Sequence, residues 1–486
     1  MRILKMIALL ITTSVASQNI DFPSKLYETY KVYKESSLNK RRIKYNDLKL
    51  LIANLKEDSK YTVKKVGQSI EGRDLTLISI GTGKTNVFLW SQMHGDEPTA
   101  TQAIFDIFNF FNGQGFSDVK EAVLSNLTIH FLPMLNPDGA EKFTRRNALG
   151  IDINRDALRL QSPEAKTLKR VRDSLNADFG FNLHDQSIYY NAERTDKPAT
   201  ISYLAPAYNY EKDINNVRAN AMKVIAYMNT IIQKYAPGQV GRYNDDFEPR
   251  AFGDNIQKWG TSTILIESGG YKNDIEKQEI RRLNYVSILS AIYSIAKENY
   301  KDIPIEDYES IPKNDQKLFD LKIVGATYSL LDNDYKIDLG INLLEIDNED
   351  HTGYYNIGRI IDQGDLSTYY GYDTFDASDY HIIEGKVYPK IFKSIEDASN
   401  IDSYELLQSG YTYLQVEELA EDKKVTDIPI QIIKAGDSTP EFVLKPRINP
   451  TFLFKKGNAI EYAVINGFLI NVKTKEGYFK NALIYR

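Results

Sequence analysis

The chain has 486 residues, with 42% hydrophobic and 26% charged side chains, the balance of a soluble globular protein with room for an enzyme domain and a second module. Its net charge of -6, without a long basic run or a basic stripe interleaved with aromatics, points away from nucleic acid. The absence of cysteine excludes disulfides, thiolate metal sites, a cysteine nucleophile and a lipidated N-terminal cysteine, so any metal has to be held by His, Asp or Glu.

Arg2 and Lys5 precede a short apolar run, and Val15-Ala16-Ser17 supplies small residues before Gln18. This is the layout of a secretory signal peptide over residues 1–17, and it predicts an exported protein, periplasmic or extracellular. The run is too short for a stable bilayer anchor, and no later stretch is long and apolar enough, so no membrane span is expected. Residues 22–57 are too few for a cleft-blocking propeptide, and no zymogen step is expected.

From residue 22 to residue 300, strand and helix patterns alternate, which predicts an α/β layer architecture. Strands are expected at 61–65, 75–80, 86–92, 127–135, 179–183 and 261–266. Helices are expected at 98–112, 214–235 and 275–300, with another opened by Ser162 as cap and Pro163 at the first position. Asn136-Pro137-Asp138-Gly139 reads as a turn. Polar residues 301–316, with Pro304 and Pro312, read as a linker. Residues 317–486 are dominated by strand-like runs and read as a sandwich-like β-rich module.

Histidine is scarce, five in all, so its placement is informative. His94 and Glu97 lie in Met93-His94-Gly95-Asp96-Glu97, just past a strand, and His184 and Glu267 also follow or end strands. Open α/β sheets build ligand sites outside the carboxyl ends of their strands. Two histidines and a carboxylate make the three-ligand set of a catalytic zinc, and a further carboxylate such as Glu267 can take a proton from water. Residue by residue the bland readings stay open: a histidine after a strand is more often a hydrogen-bonded turn residue, and Glu267 could cap a turn. His130, His351 and His381 are read as structural, because nothing near them repeats the pattern.

The intervening blocks are Asn136-Pro137-Asp138-Gly139, Thr144-Arg145-Arg146-Asn147-Ala148 and Gly150-Ile151-Asp152-Ile153-Asn154-Arg155-Asp156. With His94-x-x-Glu97, Leu183-His184 and Ile266-Glu267, their order and spacing resemble the zinc carboxypeptidase family over residues 22–300, in its bacterial wording. The resemblance implies a mixed, mostly parallel sheet flanked by helices, one zinc per chain on His94, Glu97 and His184, and Glu267 as general base. It further implies that Arg146 stabilises the oxyanion, that Asn154 and Arg155 hold a substrate carboxylate, and that Asp152 hydrogen-bonds a zinc-bound histidine. The family's mobile tyrosine has no matching local pattern here, and Tyr243 is the candidate. Asp245, Asp246, Glu248 or Asp254 would favour a basic substrate side chain if one faces the pocket.

The expected activity is removal of a residue bearing a free carboxylate from a peptide, with the β-rich module serving stability or contact with protein or cell wall. Two alternatives stay open. One is a zinc amidohydrolase acting on cell-wall peptides or N-acyl amino acids. The other is a catalytically inactive binding protein.

Overall fold

A computed structural model describes residues 21–486, and the signal-peptide segment lies outside the described residues. An eight-stranded sheet organises the N-terminal part. Its strands are β1 (Tyr61–Gln68), β2 (Asp74–Ile80), β3 (Thr85–Ser91), β4 (Leu127–Leu132), β5 (Phe179–Asp185), β7 (Ile201–Leu204), β8 (Val240–Arg242) and β9 (Ser262–Ser268), while the short β6 (Asn191–Ala192) stands apart. The order is β1-β2-β4-β3-β5-β9-β7-β8. The central ladder β4-β3-β5-β9 is parallel, and the β1/β2, β2/β4 and β7/β9 pairings are antiparallel.

The central strands read as continuous apolar runs because both faces are covered, which a parallel sheet requires. In β3, Val87 and Leu89 enter one core with Ile104, Phe131 and Ile266. The alternate residues Phe88 and Trp90 enter the opposite core with Leu168, Val171 and Phe252. Helices Thr99–Asn112 and Gln278–Lys297 cover the first face, and helix Pro163–Leu175 covers the second. Ser162 caps that last helix by accepting from the Ala165 N–H, with Pro163 in the first turn. The chain passes from β3 to β4 on one side and later to β5 on the other, so the direction of strand addition reverses at β3. Ligand sites form at such a reversal.

Two expectations change before the C-terminal region is reached. Asn136-Pro137-Asp138-Gly139 opens a short helix, Pro137–Glu141, with the Asn136 side chain accepting from the Gly139 N–H. Residues 301–316 are packed rather than a free tether. They hold a helix, Ile305–Glu309, and strand β10 (Asn314–Asp315) on β6, and they bury Tyr308 and Ile311.

The C-terminal region is strand-rich, as expected. Its first sheet carries the long strands β11 (Leu318–Leu330), β12 (Asn333–Asp347) and β13 (Tyr354–Gly364), with β14 (Tyr370–Asp376) parallel to β11. The sandwich expectation fails in the second sheet. There Lys386–Phe392, Tyr411–Val416 and Gln431–Lys434 run parallel, and helices Ile395–Ser399 and Ser403–Gln408 cross between the first two. Parallel neighbours require such crossovers, which a sandwich of hairpins lacks. Among the described residues, no helix is long and apolar enough to cross a membrane.

Candidate metal centre and active site

The site lies where β3, β5 and β9 end. Past Ser91, Gln92 takes the left-handed region at φ 49° and turns the chain, and its amide donates to the Gly95 carbonyl at 3.0 Å. A non-glycine residue there carries strain that the surroundings must hold in place, as functional sites often do. Gly95 lies against Gly139, where a Cβ would sit 2.0 Å from the Gly139 carbonyl carbon. The Asn136–Gly139 block is therefore the bed on which the His94–Glu97 turn rests.

From this turn, His94 and Glu97 meet His184 at the end of β5, and all three are buried. The His94 Nδ1 atom lies 2.7 Å from Glu97 Oε1, and His184 Nδ1 lies 2.6 Å from Glu97 Oε2. The two Nδ1 atoms are 3.2 Å apart, and one potential ligand atom from each residue falls within 4.8 Å of the others. Ligands at zinc–nitrogen distances of about 2.0–2.1 Å in a tetrahedron are separated by about 3.3 Å, so the histidine pair fits that geometry. Electrostatics favours a cation at the same point. Burial opposes charge on His94, yet the Glu97 carboxylate and the hydrogen bonds to Asp152 and Glu97 lift its pKa to about 9. Burial works against the Glu97 carboxylate too, but the two histidines bring it well below the usual range. Two imidazole nitrogens, once free of their facing protons, and one carboxylate would leave a tetrahedral cation an open fourth position, the catalytic arrangement.

Behind the ligands, Asp152 lies 3.1 Å from His94 Nε2, which fixes Nδ1 as the nitrogen facing the site. Arg145 then reverses one expectation. Its Nε donates to Asp152 Oδ2 at 3.0 Å, while its Nη1 lies 3.1 Å from His94 Nδ1 and 3.3 Å from Glu97 Oε1. Arg146, expected at the oxyanion, turns outward and donates to the Gly150 carbonyl at 2.9 Å. Adjacent side chains leave a non-helical backbone in different directions, so only one of the pair can face the ligands. The sequence blocks located the pair, and the Arg145–Asp152 contact selects within it.

Glu267 ends β9 directly across from His184 in the ladder. Its pKa is raised well above the usual carboxylate value, first by burial and next by the negative charge of Glu97. A cleft of about 970 Å³ opens over these groups, with Arg145, Asn154, Arg155 and Tyr243 in its walls. Asn154 is held by accepting from the Phe252 N–H at 2.8 Å. Arg155 donates to the Asn154 carbonyl at 2.7 Å and lies 3.5 Å from Glu248. The Tyr243 ring meets Tyr190 edge-on, and burial followed by the charge of Glu267 raises its phenol pKa.

The four acidic candidates for a charge-selective pocket separate clearly. Asp245 and Asp246 accept from Lys212, Asp245 also from Arg218, and Glu248 from Arg250. Asp254 also lines the cleft, accepts from the Glu248 N–H and, among the described residues, lies in no ion pair; burial pushes its pKa to about 7. Of the remaining histidines, His130 lies 2.7 Å from Ser79 Oγ and His351 lies 3.3 Å from Asp347. His381 pairs in a strand, and none of the three reaches the site.

Residues 50–162 match the family model described as zinc carboxypeptidase, which bears out the resemblance. The matched segment contains His94, Glu97, Asp152 and both arginines of the pair. Carboxypeptidase E of Caenorhabditis elegans is 33% identical over 116 residues, which is 20% of this chain and 25% of that protein. Carboxypeptidase B of Astacus astacus is 25% identical over 186 residues, 37% of this chain and 56% of that protein. The chain thus spans about a quarter to about half of the length of these relatives. Among solved structures, a metallo-carboxypeptidase from Burkholderia cenocepacia superposes with a TM-score of 0.43 at 17% identity, covering 52% of this chain and 69% of that one. The matching family is a zinc family, and the buried His94-Glu97-His184 group is able to hold that metal.

Proposed function

We propose that this chain, whose residues 50–162 match the zinc carboxypeptidase family, is an exported metallocarboxypeptidase that hydrolyses the C-terminal bond of peptides. The observation that carries the reading is the meeting of His94, Glu97 and His184 beside a buried Glu267 at the floor of one cleft. Export rests on the charged, apolar and small-residue segments of residues 1–17.

In this reading Arg155 binds the terminal carboxylate of the substrate, with Asn154 beside it, because a guanidinium stays charged and matches a carboxylate in shape. That anchor brings the last peptide bond over the floor of the cleft. His94, Glu97 and His184 would hold a zinc ion, which would supply Lewis acidity toward the scissile carbonyl and lower the pKa of water. Glu267 takes the proton of the attacking water as the oxygen–carbon bond forms. Arg145 faces the negative charge that develops on the carbonyl oxygen, a role worth a few kcal/mol in comparable sites. The carbon–nitrogen bond then breaks, and Glu267 passes the proton to the departing amine. A raised pKa suits Glu267 to both halves of this transfer. Asp152 keeps His94 in the tautomer that offers Nδ1. Tyr243 closes the rim over the bound residue.

A mixed peptide set followed by mass spectrometry, with and without a chelator, tests the reading. Stepwise loss of single C-terminal residues, abolished by the chelator, is expected. Intact peptides with one zinc bound per chain would favour cell-wall peptides or N-acyl amino acids as substrates. Intact peptides with no zinc bound would favour a binding protein.

A further inference from the structure

Each of the loops that leave β5 and β9 just beyond His184 and Glu267 is held at two levels. On the inside, Lys277 Nζ donates to Asp185 Oδ2 at 3.0 Å and to the Ser268 carbonyl at 2.9 Å. Lys277 thus ties the residue after His184 to the residue after Glu267.

On the outside the same loops meet the C-terminal β-rich region. The hydroxyl of Tyr372, on β14, donates to the Ile188 carbonyl at 2.6 Å. Next to it, the Tyr189 hydroxyl donates to Asp320 on β11 at 2.7 Å, and Asp320 also accepts from the Leu343 N–H of β12 at 2.7 Å. On the second loop, Lys272 Nζ donates to the Tyr372 carbonyl and to Asp373, each at 2.7 Å. Gly270 is packed so closely that a Cβ would lie 2.0 Å from the Tyr372 hydroxyl and 2.9 Å from the Ile188 carbonyl. Tyr372 is thus wedged between the two loops, four residues past His184 and three past Glu267. So short a stretch of chain, whose inner ends Lys277 pins, leaves little slack between wedge and catalytic side chain.

We infer that the C-terminal β-rich region is a positioning element of the active site, in which Tyr372, supported by the Tyr189–Asp320 contact, sets the loops that carry His184 and Glu267. The region is then a fixed strut for the catalytic strands and not a separable docking module. The inference rests on the peptidase reading for its consequence and on the contacts themselves for its geometry. Active-site groups displaced by a fraction of an ångström lose rate more than substrate affinity.

The test uses the full chain with Tyr372→Phe, Gly270→Ala and the double variant. The variants are compared by kcat and KM on a peptide substrate, by zinc content, and by amide hydrogen exchange. Tyr372→Phe keeps the ring and removes only the hydroxyl that holds Ile188. The expected result is a fall in kcat of about tenfold with KM changed less than about twofold. Zinc per chain should be unchanged, and exchange should rise at residues 186–190 and 268–272 but not in β1 to β3. Gly270→Ala should be impaired more strongly, and adding Tyr372→Phe should recover part of the loss by removing the 2.0 Å approach. An unchanged kcat overturns the inference, and so does a fall in kcat with exchange raised uniformly along the chain. If the wild type hydrolyses no peptide, the peptidase reading fails by itself. Exchange then decides: a local rise in the two loops upholds the strut, and none overturns it.

Discussion

The Nη1 of Arg145 lies 3.3 Å from Glu97 Oε1, whereas its neighbour Arg146 turns away and donates to the Gly150 carbonyl. One residue of backbone separates a cation that faces His94 and Glu97 from one that faces solvent. Arg145→Ala is expected to lower kcat/KM by roughly 10²–10³-fold, the cost of losing one preorganised donor to a developing oxyanion. Arg146→Ala should stay within about threefold of wild type. Steady-state kinetics of the two variants side by side checks this, and equal losses would contradict the assignment.

Zinc stabilises a native state that binds it and does nothing for one that cannot. Zinc added to chelator-treated wild type should raise the melting temperature by several degrees. His184→Ala should show no such rise, because one of the three donors that converge within 4.8 Å is gone. A thermal-shift titration in zinc checks this.

Asp152→Asn leaves all three ligands in place and weakens what orients His94, along with the contact that Arg145 makes to the same carboxylate. Zinc affinity should fall by about 10–100-fold, the usual cost of losing such a partner. Competition with a chelator of known affinity measures it, and an unchanged affinity would remove Asp152 from the support of the site.

Asp254 carries a pH signature. Burial raises its folded-state pKa from 3.8 to about 7, so between those values the folded chain holds a proton that the unfolded chain releases. Stability from this group is therefore fullest below pH about 4, falls as pH rises through the folded-state pKa of about 7, and levels off above it. Asp254→Asn should flatten that slope, by an amount on the order of a few kcal/mol at most, in urea melts at pH 5 and pH 8. Asp254 lines the cleft and makes no salt bridge among the described residues, so in its ionised form it is the acid expected to favour a basic C-terminal residue. The same variant should lose preference for Lys and Arg over Leu in released residues. An unchanged preference would place selection elsewhere.

Much of the sheet was legible because buried parallel strands are apolar on both faces, so 86–92, 179–183 and 261–266 stand out against polar turns. The convergence of His94, Glu97 and His184 was legible because five histidines are few enough to weigh one by one, and two of them follow such strands. The choice between Arg145 and Arg146 was not, since it depends on which way each side chain leaves the backbone toward Asp152. Composition also hid the packing of residues 301–316, where two buried side chains, Tyr308 and Ile311, are embedded in polar sequence. In the C-terminal region, short apolar runs such as Gln431–Lys434 announce a strand but not its partner, and so the parallel pairs were missed. The contact of Tyr372 with Gly270 joins residues about a hundred positions apart and leaves no local trace.

The central claim is that Glu267 moves the proton in a zinc-dependent release of C-terminal residues. Glu267→Gln preserves shape and removes the base, so mass spectrometry of a peptide mixture, run at equal zinc content for wild type and variant, tests it most directly. The account predicts single-residue shortening by the wild type and a rate lower by roughly 10²–10⁴-fold in the variant. Wild-type release of C-terminal residues that persists at the same rate in Glu267→Gln, with zinc bound in both, would contradict it.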